Sequence, residues 1–269
     1  MAPRSTYVFD NAGAQTGARF SALGALFDPG TIRHLTDLGV AQGWHCLEVG
    51  AGGGSIATWL CDRVGPTGHV VATDIDPRYL DAAGRPNLEV RRHDIASDPL
   101  PEAAFDLVHA RLVLVHLPER ETALRRIVRA VRHGGWLLVE EFDSLSMRPD
   151  PAIDLDEVLL ETYDALQRVM TARGVGLRYG RLLTGRFQGH GLVDVGAEGR
   201  LFMLQGGSPA PRSAPRTSSS YGTRWSSPGW SRTSRWTPTF AIWRSEASWP
   251  LHRSCGPSGA GGPEGTRRC

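Results

Sequence analysis

The chain of 269 residues contains no lysine, and all 30 of its basic residues are arginine. Without lysine it cannot form the Gly-Lys-Ser/Thr end of a phosphate-binding P-loop. Its four cysteines lack both metal-ligand spacing and the density of a disulfide scaffold. No apolar run approaches 20 residues, and the first residues lack the apolar core of a signal peptide. These absences predict a cytoplasmic protein with free thiols, no metal site and no membrane span.

Short apolar runs alternate with amphipathic stretches from about residue 44 onward. Such alternation is typical of a doubly wound, mostly parallel α/β sheet with helices on both faces. Right-handed crossovers then bring the loops that follow the strands to one edge, where ligands bind. The predicted strands are residues 45–50, 69–75, 88–94, 105–111, 135–142 and 191–204. The predicted helices are residues 14–40, 55–65, 77–84, 119–135 and 154–174.

A glycine-rich loop, "EVGAGGGS", lies between the first predicted strand and the following helix. Gly50, Gly52 and Gly54 are spaced G-x-G-x-G after the acidic Glu48, and such glycines let a backbone turn sharply against a ligand. The dinucleotide fingerprint needs a third glycine where this chain has Ser55. The loop therefore favours a nucleotide-like ligand other than a dinucleotide, with a tight structural turn as the alternative.

Acidic residues follow the next two predicted strands. Asp74 ends the second strand, where a carboxylate can accept both hydroxyls of a ribose, and Ile75 can lie against an adenine face. Asp94 ends the third strand and can accept the exocyclic amine of adenine, with the amide of Ile95 near the ring. Each of these residues has a simpler reading: a helix or loop cap for the acids, and core packing for Ile75.

Five motifs in order resemble the class I S-adenosylmethionine-dependent methyltransferases. They are "EVGAGGG", Asp74, Asp94, "FDLVHARLVLVHLP" at 105–118 and "VRHGGWLLVEE" at 131–141. The resemblance extends from about residue 7 to about residue 207. It is strongest to the small-molecule branch that includes ubiquinone/menaquinone methyltransferases and actinobacterial natural-product enzymes. It implies a Rossmann-like sheet of seven strands whose last strand is antiparallel and inserted between strands five and six.

The resemblance also implies roles for particular residues. The methionine part of S-adenosylmethionine would lie over Gly50, Ala51 and Gly52, and Arg111 would contact the cofactor carboxylate or the substrate. The N-terminal segment resembles a cap, so Tyr7, Gln15 and Arg19 would close over the sulfonium. The implied organisation is a helical cap over 1–40 and a cofactor domain over 41–207, with the 154–174 helix as a lid.

Methyl transfer needs a base only when the accepting atom carries a proton at reaction. His116 follows the fourth strand and is the candidate, although a histidine that only packs is an equal alternative. Glu140, Glu141 and Asp143 after the fifth strand are weaker candidates for the substrate pocket.

The sequence predicts a methyltransferase that acts on an O, N or C atom of a small, hydrophobic or aromatic molecule, of secondary-metabolite or quinone type. The alternatives are an NAD(P)-dependent oxidoreductase and a catalytically inactive protein of the same fold. The expected partner is the small-molecule acceptor, with nucleic acid disfavoured and a homodimer left open.

Residues 208–269 differ in composition from the rest of the chain. They contain nine arginines, two glutamates and five of the eight tryptophans, without helical or alternating periodicity. A disordered basic tail is one reading, but such tails are usually poor in tryptophan. When the third base of each codon is read with the first two of the next, "YGTRWSSPGW" at 221–230 fits an amphipathic helix and "WPLHRSCG" at 249–256 fits a strand. We therefore hypothesise a frameshift near 208–215, which would leave the last strand missing or replaced and the fold marginally stable.

Sequencing the coding DNA tests the frameshift hypothesis. We expect the shifted frame to stay open from about codon 208 and to encode an amphipathic helix followed by an apolar strand. A shifted frame interrupted by stop codons would contradict the hypothesis.

Overall fold

A seven-stranded sheet forms the centre of the computed structural model, which describes residues 15–80, 85–144, 157–205 and 236–248. The strand order is β3-β2-β1-β4-β5-β7-β6; β1 to β5 are parallel, and β7 pairs antiparallel with both β5 and β6. The strands are β1 His45–Val49, β2 His69–Asp74, β3 Leu88–Arg92, β4 Phe105–Arg111, β5 Val131–Asp143, β6 Val193–Gln205 and β7 Trp236–Ser248.

Helices cover both faces of the sheet. They are α1 Thr16–Asp37, α2 Ser55–Val64, α3 Arg120–Ala130, α4 Glu157–Ala172 and α5 Tyr179–Gly189, with short 3₁₀ turns at Pro77–Tyr79 and Leu114–His116. One core packs α1 and α2 on one face, and the other packs α3 and α5 on the opposite face. Alternate residues of each central strand enter alternate cores, so the strands are apolar almost throughout. Within the described residues, no helix is long and apolar enough to cross a membrane.

The strand order places a crevice beside the first strand. The chain winds outward from β1 through β2 to β3, and then returns to add β4 on the other side of β1. Connections after β1 and β4 therefore leave the sheet toward opposite faces, and a gap opens between them at the carboxyl ends. The glycine loop after β1 lies at this gap.

Most predicted elements are confirmed, and the differences have physical reasons. The helix predicted over 119–135 ends at Ala130, because Val131 already pairs with Phe105 and a bulge around Gly134 and Gly135 enters β5. The helix predicted over 77–84 is only a 3₁₀ turn within the described residues. Helix α5 was not predicted from the sequence. The 154–174 helix is observed as Glu157–Ala172.

The reading of residues 208–269 as a disordered tail is wrong for β7. Residues Trp236–Ser248 occupy the position between β5 and β6 that the frameshift hypothesis would leave empty. The strand is bonded on both sides through its backbone, so its pairing does not depend on an alternating apolar pattern. The position is therefore filled, and the marginal stability stays a prediction. The remainder of 208–269 lies outside the described residues, and the frameshift itself stays a prediction.

Candidate active site

A cleft of about 1780 Å³ opens at the carboxyl edge of β1 to β4, with α1 along one side. Its volume exceeds the 300–1,000 Å³ range of most small-molecule sites, so it has room for two ligands side by side. Most residues predicted to bind a ligand line this cleft. They are Arg19, Glu48, Gly50, Ala51, Gly52, Asp74, Ile75, Asp94, Ile95, Arg111 and His116.

The glycine loop is a tight turn built from left-handed backbone. Gly50, Gly52 and Gly54 have φ of 68°, 53° and 77°, a region that favours glycine. The Ala51 N–H donates to the Thr73 carbonyl at 2.9 Å, which ties the loop to the end of β2. Gly54 caps α2 and is not among the lining residues. The glycine backbone thus lines the cleft without Cβ atoms. The same residues form a tight structural turn and a surface on which a ligand can lie.

Asp74 joins the glycine loop to the loop after β2. Its Oδ2 accepts the Gly52 N–H at 2.9 Å and its Oδ1 accepts the Asp76 N–H at 2.9 Å. Burial raises the pKa of Asp74, and these N–H groups oppose the shift. A carboxylate has about four acceptor positions, so two remain for hydroxyl groups of a ligand in the cleft.

The next two loops provide an apolar surface and a second acid. Ile75 is 40% exposed although it is a large apolar side chain, and the surface it exposes lies in the cleft. Asp94 accepts the Ala96 N–H at 2.9 Å through Oδ1, so it caps its turn as well as lining the cleft. Arg126 donates to the Ile95 carbonyl at 2.9 Å and fixes this loop from outside.

The cap helix α1 covers the glycine loop with an aromatic ring that the sequence did not predict. A Cβ built on Gly52 would lie 3.1 Å from Cε1 of Phe20, so the ring packs directly on the loop. Phe20 also stacks edge-to-face on Tyr79 at 5.4 Å, and the Arg19 guanidinium lies 5.3 Å from its ring centre. Tyr7 lies outside the described residues.

Arg111 binds the cap helix to the sheet. Its Nη2 lies 2.8 Å from Asp28 Oδ1, and its Nη1 donates to Thr31 Oγ1 at 2.9 Å. Both partners lie on α1, which the sequence did not indicate. The arginine also lines the cleft, and only 14% of its side chain is exposed.

A buried turn after β4 carries His116. It begins at Leu112, whose φ of 57° is strained for a residue with a branched side chain. The Glu141 carboxylate beneath it accepts the N–H groups of Val113 and Leu114 at 3.1 and 2.6 Å. Burial, and to a lesser extent the charge of Arg19, lowers the pKa of His116 to about 4, so its ring is neutral at physiological pH.

Three acids expected near the pocket are instead buried beneath it. Glu140, Glu141 and Asp143 have no exposed surface and do not line the cleft. Glu140 bonds to Thr31 and to His109, and Asp143 pairs with Arg181. Successive side chains of β5 point to opposite faces of the sheet, and both faces are packed there. All three acids are therefore buried under the cleft. Glu48, which does line the cleft, bonds to His109.

Buried His109 is a polar residue that the sequence reasoning missed. The signal was a histidine in the middle of an apolar strand, opposite Glu48 in the β1–β4 register. Across the described ranges, no group of three or more histidine, cysteine, aspartate or glutamate side chains is arranged to hold a metal ion.

Comparison with known proteins finds similarity over the residues that form the cleft. Residues 47–139, which contain the glycine loop, Asp74, Asp94 and β4, match the methyltransferase domain family. This part of the chain is therefore similar to a methyltransferase domain.

Two relatives and one solved structure illustrate the similarity of this methyltransferase domain. The methyltransferase str2 of Strobilurus tenacellus is 33% identical over 153 residues, 55% of this chain and 53% of the relative. The ubiquinone/menaquinone biosynthesis C-methyltransferase UbiE of Pseudomonas fluorescens is 35% identical over 112 residues, 39% of this chain and 44% of the relative. The chain thus spans about half the length of these relatives.

The solved structure is phosphoethanolamine N-methyltransferase 2 of Haemonchus contortus in complex with S-adenosyl-L-methionine. It superimposes with a TM-score of 0.60 at 13% identity over 93% of this chain and 61% of that chain. At this identity the likeness shows the fold alone.

The cleft fits the cofactor of this family. Gly50 and Gly52 leave a cradle without Cβ atoms, Asp74 has unused acceptor positions, and Ile75 exposes an apolar surface between them. The first feature suits the methionine backbone of the cofactor, the second its ribose and the third its adenine.

Replacing Gly50 by alanine tests the cradle. A Cβ there would lie 2.4 Å from Val113 Cγ2, so we expect about 1–3 kcal/mol of clash added to about 1–2 kcal/mol of left-handed strain. Gly39→Ala is the matched control, because φ is 79° but nothing lies within 4 Å. Gly50→Ala should lower the melting temperature more than Gly39→Ala does, and Gly50→Ala/Val113→Ala should recover part of the loss. Equal losses of melting temperature for the two single variants would show that a Cβ at position 50 meets no clash, which would contradict this expectation.

Glu141→Gln tests the buried carboxyl beneath the His116 turn. Burial raises the pKa of Glu141 from 4.5 to about 8, against the opposing N–H groups of Leu114 and Val113. A raised carboxyl pKa stabilises the fold fully below pH 4.5, and this contribution is lost as pH rises through about 8. The melting temperature of Glu141→Gln should therefore fall less between pH 6 and 8.5 than that of the unmodified protein. Exposed Glu102→Gln is the control, and parallel pH curves for all three proteins would refute the assignment.

Proposed function

We propose that the protein transfers a methyl group from S-adenosylmethionine to an O, N or C atom of a small, hydrophobic or aromatic molecule. One observation carries this proposal. The Gly52 N–H donates to Asp74 and so joins the glycine loop to this acid, at the bottom of a cleft large enough for two ligands. The matched domain family supports methyl transfer, and it lends no support to the NAD(P)-dependent alternative.

The proposed cofactor contacts follow the order of the loops. The methionine part lies over Gly50 to Gly52, with Gly54 shaping the turn, and Asp74 accepts the ribose hydroxyls. The adenine lies between Ile75 and the Asp94–Ile95 turn. Glu48 lies at the base of the cleft next to the loop, and its acidic group is placed to favour the cofactor's ammonium group.

The cap completes the proposed cofactor site. Arg19 lies beside the cleft on α1, and Arg111 faces the cleft while it is paired with Asp28. Both are placed to attract a carboxylate, either that of the cofactor or that of the acceptor. Tyr7 keeps its proposed role in closing the cap.

The chain's own part in the reaction is positioning. Bound S-adenosylmethionine supplies a methyl group already activated on a sulfonium. The residues of the cleft hold the acceptor in line with that methyl group and exclude water, which are large sources of rate for such displacements. Phe20 packed on the glycine loop and the α1 wall restrict solvent on one side.

We propose His116 as the group that takes a proton from an acceptor O–H or N–H. It lines the cleft, and its neutral ring at physiological pH leaves a nitrogen lone pair for this task. Arg19, which faces the same cleft, would stabilise the negative charge that develops on an acceptor oxygen. An acidic hydroxyl, such as that of a phenol, suits this pair better than an ammonium group does.

The rest of the cleft favours an apolar acceptor. Leu23, Leu117, Phe142 and Met170 line it away from the glycine loop. Ubiquinone/menaquinone biosynthesis in the name of one relative points to a quinone-type ring. We further propose that the protein works in the cytoplasm, on the basis of its composition.

Two variants separate cofactor binding from chemistry. Asp74→Asn should weaken S-adenosylhomocysteine binding by about 10- to 100-fold, because charged hydrogen bonds contribute about 1.5–3 kcal/mol. His116→Asn should leave that affinity within about threefold but lower turnover of phenolic acceptors, in an assay of labelled methyl transfer to a panel of phenols, amines and quinols. Asp62→Asn, on an exposed side chain that does not line the cleft, is the control.

Three results would contradict the proposal. The absence of methyl transfer to the whole panel and to cell extracts, with cofactor bound, would favour the inactive-protein alternative. Binding of NAD in preference to S-adenosylhomocysteine would favour the dehydrogenase. Unchanged affinity in Asp74→Asn would remove the central contact.

A further inference from the structure

Three buried ionisable residues lie in a row beneath the cleft. Glu48 on β1, His109 on β4 and Glu140 on β5 have at most 5% of their side chains exposed. The ring of His109 lies between the two carboxylates, with Nδ1 2.6 Å from Glu48 Oε2 and Nε2 3.3 Å from Glu140 Oε2. One imidazole therefore joins a residue that lines the cleft to a residue wholly beneath it.

The partners of His109 define its protonation state. Carboxylates accept hydrogen bonds when they are ionised, so a ring that faces two of them donates from both nitrogens as an imidazolium. Burial lowers the pKa of His109, but Glu48 and Glu140 raise it overall, to about 9. The two carboxylates and the cation form a buried cluster in which each ring N–H donates to a carboxylate oxygen.

The same cluster continues into the cap helix. The Thr31 hydroxyl donates to Glu140 Oε2 at 2.5 Å and accepts from Arg111 Nη1 at 2.9 Å, and Arg111 pairs with Asp28. Thr31 and Asp28 lie one turn apart on α1, so this pair of contacts fixes both the position and the rotation of the helix. The part of α1 that precedes Asp28 lines the cleft and places Phe20 on the glycine loop.

Other charged groups near the cluster are paired on their own. On α1, Arg33 and His34 contact Glu198 of β6, at 2.5 and 3.2 Å. On β1, burial raises the pKa of the Cys46 thiol, which therefore stays neutral. Arg111 is the charged group that faces the cluster from the end of β4, and Asp28 is its partner. In the part of the chain that the structure describes, His109 is the titratable group that links the β1 side of the cluster to the β5 side.

We propose that His109 is a positioning residue for cofactor binding, whose single ring holds Glu48 at the base of the cleft and, through Glu140 and Thr31, the cap helix over it. The inference rests on the proposed function, since it assumes that S-adenosylmethionine binds in this cleft. His109 touches neither ligand. Losing one of its two N–H groups releases either Glu48 or Glu140, and so loosens either the base or the cap of the site.

The test is the pH dependence of S-adenosylhomocysteine affinity, measured by calorimetry from pH 7 to 10. We expect the unmodified protein to lose about tenfold more affinity than a variant without the imidazole as pH passes about 9, where His109 gives up a proton. The ligand's own ammonium group titrates in the same range and lowers the affinity of both proteins alike. His109→Gln should bind about tenfold more weakly at pH 7, because a glutamine amide offers a donor to one acid but an oxygen to the other.

The double variant His109→Gln/Glu140→Gln separates positioning from general stability. The new amide at position 109 can donate to Glu48 and accept from the new amide at position 140, whose own oxygen still accepts from Thr31. The total charge of the three residues is also unchanged. We expect its affinity at pH 7 to return to within about threefold of the unmodified protein, and its loss near pH 9 to be only the one that the ligand's own ammonium group causes. His69→Gln is the matched control, because His69 also pairs with a glutamate, Glu89, but at the opposite edge of the sheet.

The outcomes distinguish this inference from the proposed function. A pH profile of the unmodified protein that is parallel to that of the double variant, or a double variant as weak as His109→Gln, would overturn the positioning role even if His109→Gln failed to fold. Failure of the unmodified protein to bind S-adenosylhomocysteine at any pH would overturn the proposed function instead. In that case, amide hydrogen exchange of residues 16–37 still tests the link to the cap: it should accelerate above about pH 9 in the unmodified protein beyond the normal effect of pH, and not in the double variant.

Discussion

The hydrogen bond from the Gly52 N–H to the Asp74 carboxylate is the contact on which the cleft depends. It joins the loops after β1 and β2 at 2.9 Å and fixes the left-handed glycine turn against an acid. The sheet makes this contact available, because parallel strands end at the same edge and the winding direction changes between β1 and β4. The same bond places a bare backbone and a carboxylate side by side, which is the combination that the methionine and ribose of S-adenosylmethionine need.

The cap is held over this edge by polar contacts as well as by apolar packing. Phe27 packs on Phe142 at 5.8 Å, but the contacts that set the rotation of α1 come from Asp28, Thr31 and His34. Polar contacts are directional, so they specify where the helix lies more closely than apolar packing does. They are also sensitive to protonation, and the buried Glu48–His109–Glu140 row therefore couples the cap to pH.

Sequence reasoning predicted the parts of the protein that follow local rules. Strands buried on both faces are continuous apolar runs, and a ligand loop needs glycines at set positions, so β1 to β6, Gly50 and Asp74 could be read directly. The partners of buried charged groups could not be predicted in this way. The Glu48–His109 contact, for example, joins residues 61 positions apart and depends on the register of β1 against β4. Strand β7 was missed for a related reason: backbone pairing holds it in place, and its sequence shows no alternation.

A crystal structure of the protein with S-adenosylhomocysteine is the most direct test of the cleft as a cofactor site. We expect both ribose hydroxyls within hydrogen-bond distance of Asp74, the amino-acid part against Gly50 and Gly52, and the adenine between Ile75 and Asp94. A ligand bound elsewhere, or a ribose that contacts residues other than Asp74, would contradict the central claim.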